Sequence, residues 1–410
     1  MTIKELKNEK IGLCISGGLD SRTITKKLID MGTDVICFTA DLAQPDEPDI
    51  SNIQKKMAEC GAKTVIIDLK NQMAEACFKV LKAQAMYDGG YWNTTGIARA
   101  VTVAGLLPEM KKQGCTVLAH GATGRGNDQV RFERYTNVLS PDIKVYAPWR
   151  DSELLAEFPG RTEMTQYLKR SGIKGFEKGT KKYSTDSNLA GLSHEAEDLE
   201  SLETSCKIVT PIMGVWPDDA PDQTERFTVR LEKALPVKIN GQTLTPLEVM
   251  KEANAIGGRN GIGIKNALEN RIIGTKSRGV YEAPGMELLG RCIEIVYQAT
   301  MDRTAMQLFR DLSRLVASQI YDGHLFDPAT TAALAAIEHL AAFATGTVQV
   351  ALYKGNIYFE KLTDCKSSLY NQADSSMEKS NGLKPANAQG FVEIENIKAR
   401  SLYRAGQIEK

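Results

Sequence analysis

The sequence predicts an α/β fold: a parallel sheet with helices over both faces, then a mixed α+β region, then a polar arm. Three observations predict it. Apolar strand-like runs alternate with helical periodicity from residue 10 to about residue 146, the first run ends in a glycine-rich turn that opens a helix, and the alternation stops near residue 150. Regular alternation of strand and helix is the pattern of parallel strands joined by crossovers. Ligands of such sheets bind beyond the carboxyl ends of the strands, so the loops after Ile15, Thr39 and Ala119 carry the interest.

The predicted strands of the first region are Lys10–Ile15, Val35–Thr39, Thr64–Asp68, Thr116–Ala119 and Ile143–Tyr146. Between them the 3–4 spacing of apolar residues predicts helices over Thr23–Met31, Ile50–Cys60, Gln72–Met86 and Ile97–Lys112. Two charged helical segments follow between Asp151 and Ile173, and Gly175–Lys182 reads as a basic loop. Further on, Phe227–Leu231 and Val237–Ile239 read as strands, with Asn240-Gly241 as a hairpin turn. Leu247–Ile256 is helical, and Gly257–Gly263 is too glycine-rich to be regular. Helices are expected over Met286–Thr300 and Thr304–Tyr321, then a hairpin, Val348–Tyr353 with Asn356–Leu362, turning at Lys354-Gly355. From Cys365 the chain is polar with little core of its own and ends in an amphipathic helix near Glu393–Arg404. A tail that cannot bury itself within one subunit packs on a neighbour, so it reads as an oligomerisation arm; a frayed terminus is the alternative. The expected divisions are the parallel-sheet domain over 1–170, a second α+β domain over 171–363 and the arm over 364–410.

Composition narrows the partners. Lys+Arg and Asp+Glu both number 51, and a formal net charge of zero argues against nucleic acid or an anionic membrane. Eight cysteines form no CxxC pair and only four histidines are present, so zinc and iron–sulfur ligation lack support. Several cysteines sit in apolar runs, where a reduced thiol serves as a small hydrophobe. Met1–Lys10 is charged and offers no signal peptide, and Ala329–Gly346 carries Glu338 and His339 mid-run and does not read as a membrane span. The expectation is a cytoplasmic protein.

Two loops carry the chemistry. Ser16-Gly17-Gly18-Leu19-Asp20-Ser21 links a strand to a helix, a geometry that aims backbone N–H groups and a positive dipole end at one point and so binds phosphate. Its spacing matches neither the Walker pattern nor the dinucleotide pattern. An ordinary βα turn is the plain alternative. The second loop, His120–Glu133, offers three glycines with Thr123, Asn127, Asp128, Arg125 and Arg131. Close-approach glycines beside that set of donors and acceptors favour a ligand site over a merely polar surface loop.

The first loop resembles the SGGxDS pyrophosphate loop of the ATP pyrophosphatases. Taken with the second loop, Ala147–Arg150, Tyr183–Asp186, Gly191–Glu195, Glu269–Arg271 and Lys276–Gly285, the chain resembles the argininosuccinate synthetase family from about residue 10 to its end. The resemblance implies a ligase of arginine biosynthesis that uses ATP and Mg²⁺. The ureido oxygen of citrulline attacks the α-phosphate, pyrophosphate leaves, and the amine of L-aspartate displaces AMP from the citrullyl-adenylate. A homotetramer is implied as well. Carried over by position, the ATP contacts are Cys14, Ile15, Ser16, Gly17, Gly18, Leu19, Asp20, Ser21, Arg22, Ala40, Gly121, Thr123, Asp128 and Thr185. Aspartate maps to Thr123, Asn127 and Asp128, and citrulline to Tyr91, Thr95, Asn127, Arg131, Ser184, Ser193, Glu195, Glu269 and Tyr281. Asp20, Asn127, Asp128 and Arg131 are the expected catalytic residues, with no metal ligand assigned among the side chains and His194 read as a structural histidine.

The sequence also departs from the family pattern. Arg22 stands where one subtype has a serine, Ala43-Gln44 replaces a Gly-Gln pair, and Arg125 replaces a lysine. Gly96 replaces a citrulline-binding serine, and Thr95 or Thr94 is expected to supply the hydroxyl. The alternatives are a relative that adenylates another ureido or amide substrate, or a non-catalytic nucleotide sensor.

Overall fold

The computed structural model describes residues 1–173, 183–376, 378 and 384–408, so the basic stretch Gly175–Lys182 lies outside the described residues. The first region runs β1 (Lys10–Cys14), α1 (Leu19–Asp30), β2 (Asp34–Asp41), α2 (Ser51–Ala58), β3 (Lys63–Asp68) and α3 (Lys70–Ala83). A small hairpin, β4 (Met86–Tyr87) and β5 (Tyr91–Trp92), leads to α4 (Thr94–Lys112), β6 (Val117–His120), α5 (Asp128–Leu139) and β7 (Lys144–Tyr146). The five long strands form one parallel sheet in the order β3-β2-β1-β6-β7. The chain order reverses between β1 and β6, and this switch point leaves a crevice above their carboxyl ends. Both glycine-rich loops open into it.

Helix α1, with α6 (Ser152–Glu157) and α7 (Arg161–Arg170), covers one face of the sheet around Leu13, Ile24, Leu28, Val117 and Leu168. Helices α3 and α4 cover the other face around Phe38, Leu81, Val103 and Leu118.

The second region is β8 (Ser184–Asn188), β9 (Gly191–Glu195), β10 (Glu225–Glu232), β11 (Leu235–Ile239), β12 (Gln242–Thr243), α8 (Pro246–Arg259), β13 (Ile264–Asn270) and β14 (Lys276–Glu282). Then come α9 (Pro284–Thr300), α10 (Arg303–Asp322), α11 (Pro328–Ala341), β15 (Gly346–Tyr353), β16 (Asn356–Thr363) and α12 (Asn387–Arg404). Two antiparallel sheets result, β13-β14-β9-β8 and β12-β11-β10-β15-β16. Asn240 and Gly241 take φ of 50° and 85°, as a type I′ hairpin requires, and Lys354 and Gly355 do the same at 44° and 79°.

Two expectations need correction. Gly257–Gly263 is not irregular throughout, because α8 continues through Gly257 and Gly258 to Arg259. These glycines serve close approach: a Cβ on Gly258 would lie 2.0 Å from the Met213 carbonyl oxygen, and one on Gly257 would lie 2.7 Å from that of Pro284. A capping box, Thr245 with Glu248, starts the same helix. The stretch 120–133 is likewise a loop only as far as Asn127, since α5 begins at Asp128. Its polar residues hid a helix whose apolar face is short, Phe132, Tyr135 and Thr136.

Helix α12 has no buried residue, and Phe391 and Ile394 are 68% and 67% exposed. Among the described residues, no helix is long and apolar enough to cross a membrane.

Candidate active site

The crevice at the switch point deepens into a cleft of about 1210 Å³ between the parallel sheet and one face of β13-β14-β9-β8. At its sheet end, Ile15 N–H donates to the Phe38 carbonyl at 2.9 Å and holds the chain extended as it leaves β1. Gly17 then turns at φ 75°, where a side chain would be strained. Gly18 precedes α1 without any side-chain cap, so the first N–H groups of the helix and its positive dipole end face the cleft. Ser21 closes the turn by accepting from Ser16 N–H at 3.2 Å.

Cys14, Ile15, Ser16, Asp20, Ser21, Ala40, Gly121, Thr123 and Thr185 line this end. Gly17 and Gly18 shape the loop with backbone alone, while Leu19 packs into the core beside Ile24 and Ile53. Arg22, grouped with the nucleotide contacts from the sequence, is off the cleft: its side chain is buried and ion-paired with Glu59. One residue past the loop, helix geometry turns it toward α2. Burial pushes the Asp20 carboxyl up, against its own backbone N–H and the guanidinium of Arg161. Beyond β2, Gln44 pins the turn by donating to Ala40 O and accepting from Leu42 N–H, both at 2.9 Å. Ala43 there takes φ 56°, the left-handed conformation that favours the glycine it replaces.

The second loop approaches Trp149 so closely that a Cβ on Gly124 would meet its carbonyl oxygen at 2.6 Å. Buried Gln129 buttresses the loop through Gly124 O and Gly126 O. The first turn of α5 then presents Asn127, Asp128 and Arg131 together. Arg131 Nη1 donates to Asp128 Oδ1 at 2.9 Å, and Arg99 of α4 spans from Asp128 Oδ2 at 2.9 Å to Asp186 Oδ2 at 2.7 Å. Burial alone would raise the Asp128 carboxyl, but the two guanidiniums outweigh it and hold it below the usual carboxylate range.

The other end of the cleft is built by strand register. Asp186 pairs with Ser193 and Ser193 with Tyr281; Ser184 pairs with Glu195, and Glu269 with Ser277. Paired residues share a face and the period is two, so Ser184, Asp186, Ser193, Glu195, Glu269 and Tyr281 all point into the cleft. Gly279 makes room for the Tyr281 ring, which lies 2.8 Å from where its Cβ would be, and Tyr281 stacks on Tyr91 with centroids 4.0 Å apart. Glu269 is buried; one oxygen accepts from Ser277 at 3.2 Å, and the Tyr281 and Tyr321 phenols lie beside the carboxylate. Desolvation, then the nearby Asp128, raises Glu195 to about 7, opposed by Arg271 and reinforced by Asp186 and Glu269. Its side chain is 42% exposed, lines the cleft and lies 3.6 Å from Arg271.

Thr95 lines the cleft with Arg99, Thr102 and Leu106 on one face of α4, and its hydroxyl donates to Asp186 at 3.3 Å. Thr94 is buried away from it. A Cβ on Gly96 would sit 3.0 Å from Ile320 O, facing α10 rather than the cleft. His194 takes the opposite phase on β9 and is buried with Nε2 2.6 Å from Glu282.

Sequence reasoning quoted Asp186 and Arg271 only inside longer motifs and gave no role to them, to Arg99 or to Tyr321. The spacing 95, 99, 102, 106 on a helix was a readable signal for Arg99; strand face and register supplied Asp186, and nothing local marked Tyr321.

Family models for the arginosuccinate synthase N-terminal HUP domain and the arginosuccinate synthase C-terminal domain match residues 10–174 and 183–402. The chain belongs to the argininosuccinate synthase family. A curated argininosuccinate synthase from Rhodopirellula baltica is 39% identical over 393 residues, 95% of this chain and 96% of the relative. The cleft of this argininosuccinate synthase family member draws on both matched segments, with the phosphate loop from the first and the sheet face from the second.

Proposed function

We propose that the chain joins citrulline to L-aspartate at the expense of ATP, releasing argininosuccinate, AMP and pyrophosphate. One observation carries this reading: a single cleft runs from an uncapped phosphate loop to a sheet face that offers charges of both signs. The ATP phosphates lie on the 16–21 loop, with the adenosine near Ala40 and Gly121. Citrulline lies on the sheet face. Its carboxylate meets Arg131 and the Ser184 and Ser193 hydroxyls, and its ammonium meets Glu195 and Glu269. Aspartate lies between them, at Thr123, Asn127 and Asp128.

The ureido oxygen attacks the α-phosphorus and the bond to the β-phosphate oxygen breaks. Charge grows on pyrophosphate where the α1 N–H groups point. The aspartate amine then attacks the ureido carbon and AMP leaves. Held ionised, Asp128 is a weak proton acceptor at neutral pH, so it orients an amine N–H rather than driving the step as a strong base. Positioning supplies most of the catalysis.

Mg²⁺ belongs to the same reading. Among the described residues, no cluster of three or more His, Cys, Asp or Glu could cage a metal. Mg²⁺ is usually held by one or two carboxylates plus substrate phosphates, and Asp20 is the carboxylate in the loop. It would offset the charge of the leaving group.

A coupled pyrophosphate-release assay tests the function. Release should require citrulline, and argininosuccinate should form only when aspartate is also present; product without aspartate, or none with all three substrates, would overturn the reading. Run from pH 6 to 8, the same assay should show the KM for citrulline falling as pH rises through about 7, where Glu195 loses its proton. Glu195→Gln should flatten that limb. A KM independent of pH in the parent chain removes Glu195 from the ammonium site.

The homotetramer and the cytoplasmic location stay within this proposal. The wholly exposed α12, with its apolar Phe391 and Ile394, supports an arm that packs on a neighbouring copy.

A further inference from the structure

We infer that Tyr321, at the end of α10, is a positioning residue that sets the donor groups of Asn127 and Arg131 toward the amino-acid substrates. The inference rests on the reading that those two residues meet citrulline and aspartate.

Three different parts of Tyr321 are engaged. Its hydroxyl accepts from Asn127 Nδ2 at 2.7 Å, while Asn127 Oδ1 accepts from Ile272 N–H at 3.0 Å. A backbone donor at one end and a phenol at the other fix which way the amide faces, and one N–H is left for a ligand. The Tyr321 carbonyl, in the last turn of α10 where no intrahelical partner is available, accepts from Arg131 Nε at 2.8 Å. The ring lies under the same guanidinium, 4.8 Å from its carbon. With Nη1 on Asp128, every edge of the Arg131 fork is committed except Nη2, which has no protein partner among the described residues. A guanidinium held on its face and two edges presents a fixed donor rather than a mobile charge.

The tyrosine itself is locked. It stacks on Tyr87 with centroids 3.7 Å apart and planes 11° from parallel. Gly323 ends α10 at φ 85°, and a Cβ there would lie 3.3 Å from Arg131 Cα, so the glycine lets the helix end press on α5. Burial, and then the charge of Glu269, push the Tyr321 phenol far up and keep it neutral. A neutral hydroxyl can accept from Asn127 at any pH the enzyme meets.

The test compares Tyr321→Phe, Asn127→Ala and the double variant by steady-state kinetics, with melting temperatures. Tyr321→Phe keeps the ring, the carbonyl and the stack, and removes only the hydroxyl. It should raise the KM for citrulline or aspartate about tenfold, with the KM for ATP and the melting temperature unchanged. In the Asn127→Ala background the same change should cost nothing further, because the hydroxyl acts through that amide. Amino-acid KM values unchanged in Tyr321→Phe but raised in Asn127→Ala would overturn the role of Tyr321 and leave the site reading intact. Unchanged values in both variants would overturn both. Independent, multiplying effects, or a lower melting temperature with all three KM values untouched, would show a structural tyrosine and also overturn the inference.

Discussion

Asp20→Ala should lower turnover by about 10²–10³-fold, the usual loss when a group that stabilises a transition-state charge is removed, while the melting temperature holds. The carboxyl sits in the first turn of α1, facing the cleft, and among the described residues it forms no ion pair or side-chain hydrogen bond. The fold does not depend on it. Burial already disfavours its charge, so truncation relieves a cost in the empty protein. Function explains its presence better than stability does, because a carboxylate beside a polyphosphate repels unless a cation joins them. Asp20→Asn should fail almost as badly, since an amide keeps the shape without the charge. Initial rates at saturating substrates, with thermal melts of the same samples, decide the matter. A rate equal to that of the parent would make Asp20 a turn residue.

Arg99→Leu should be comparably severe and for a different reason. The guanidinium, 17% exposed, spans Asp128 and Asp186 and draws together α5, α4 and β8. Removing it leaves two partly buried carboxylates facing each other, with only Asp128 still ion-paired among the described residues, through Arg131; a loss of stability follows, smaller than the roughly 3–5 kcal/mol of a fully buried unpaired charge. Asp128 would then lose one of the two cations that keep it ionised. The expected result is a fall of about 10³-fold in kcat/KM together with a lower urea midpoint. Arg99→Lys keeps the charge but cannot bridge both acids, and should fall between. Adding Asp186→Asn to Arg99→Leu should restore much of the stability and little of the activity. Recovery of both would reduce Arg99 to a structural strut.

Much of the architecture was legible because the first region follows simple periods. Strands such as Thr64–Asp68 are apolar and bounded, and α1 announces itself through Ile24 and Leu28. The phosphate loop was readable for the same reason, a strand and a helix meeting at Gly17-Gly18. The sheet β13-β14-β9-β8 was not read as strands. Ser184–Asn188 is polar throughout, since Ser184 to Ser187 all line the cleft and Ser187 binds Asp46. Such a strand owes its form to its neighbours, not to its own side chains. Glu269 is the sharpest instance: the sequence offered it only through the resemblance, yet it lies buried on a strand, and only register with Ser277 explains why. Tyr321 is the opposite case, an ordinary helix residue until α10 is laid against α5.

The layer formed by α3 and α4 has a consequence for how the protein melts. Met73, Leu81 and Val103 from the first matched segment share one unbroken apolar cluster with Val249, Ile293, Val316 and Ile337 from the second. Two modules of sequence are therefore one cooperative unit. Neither half can leave the other without exposing that cluster, so heat or urea should unfold them together, and a cut between residues 174 and 183 should leave the halves associated. On the proposed placement of the substrates, ATP bound at one end of the cleft should therefore raise the melting temperature of both matched segments together.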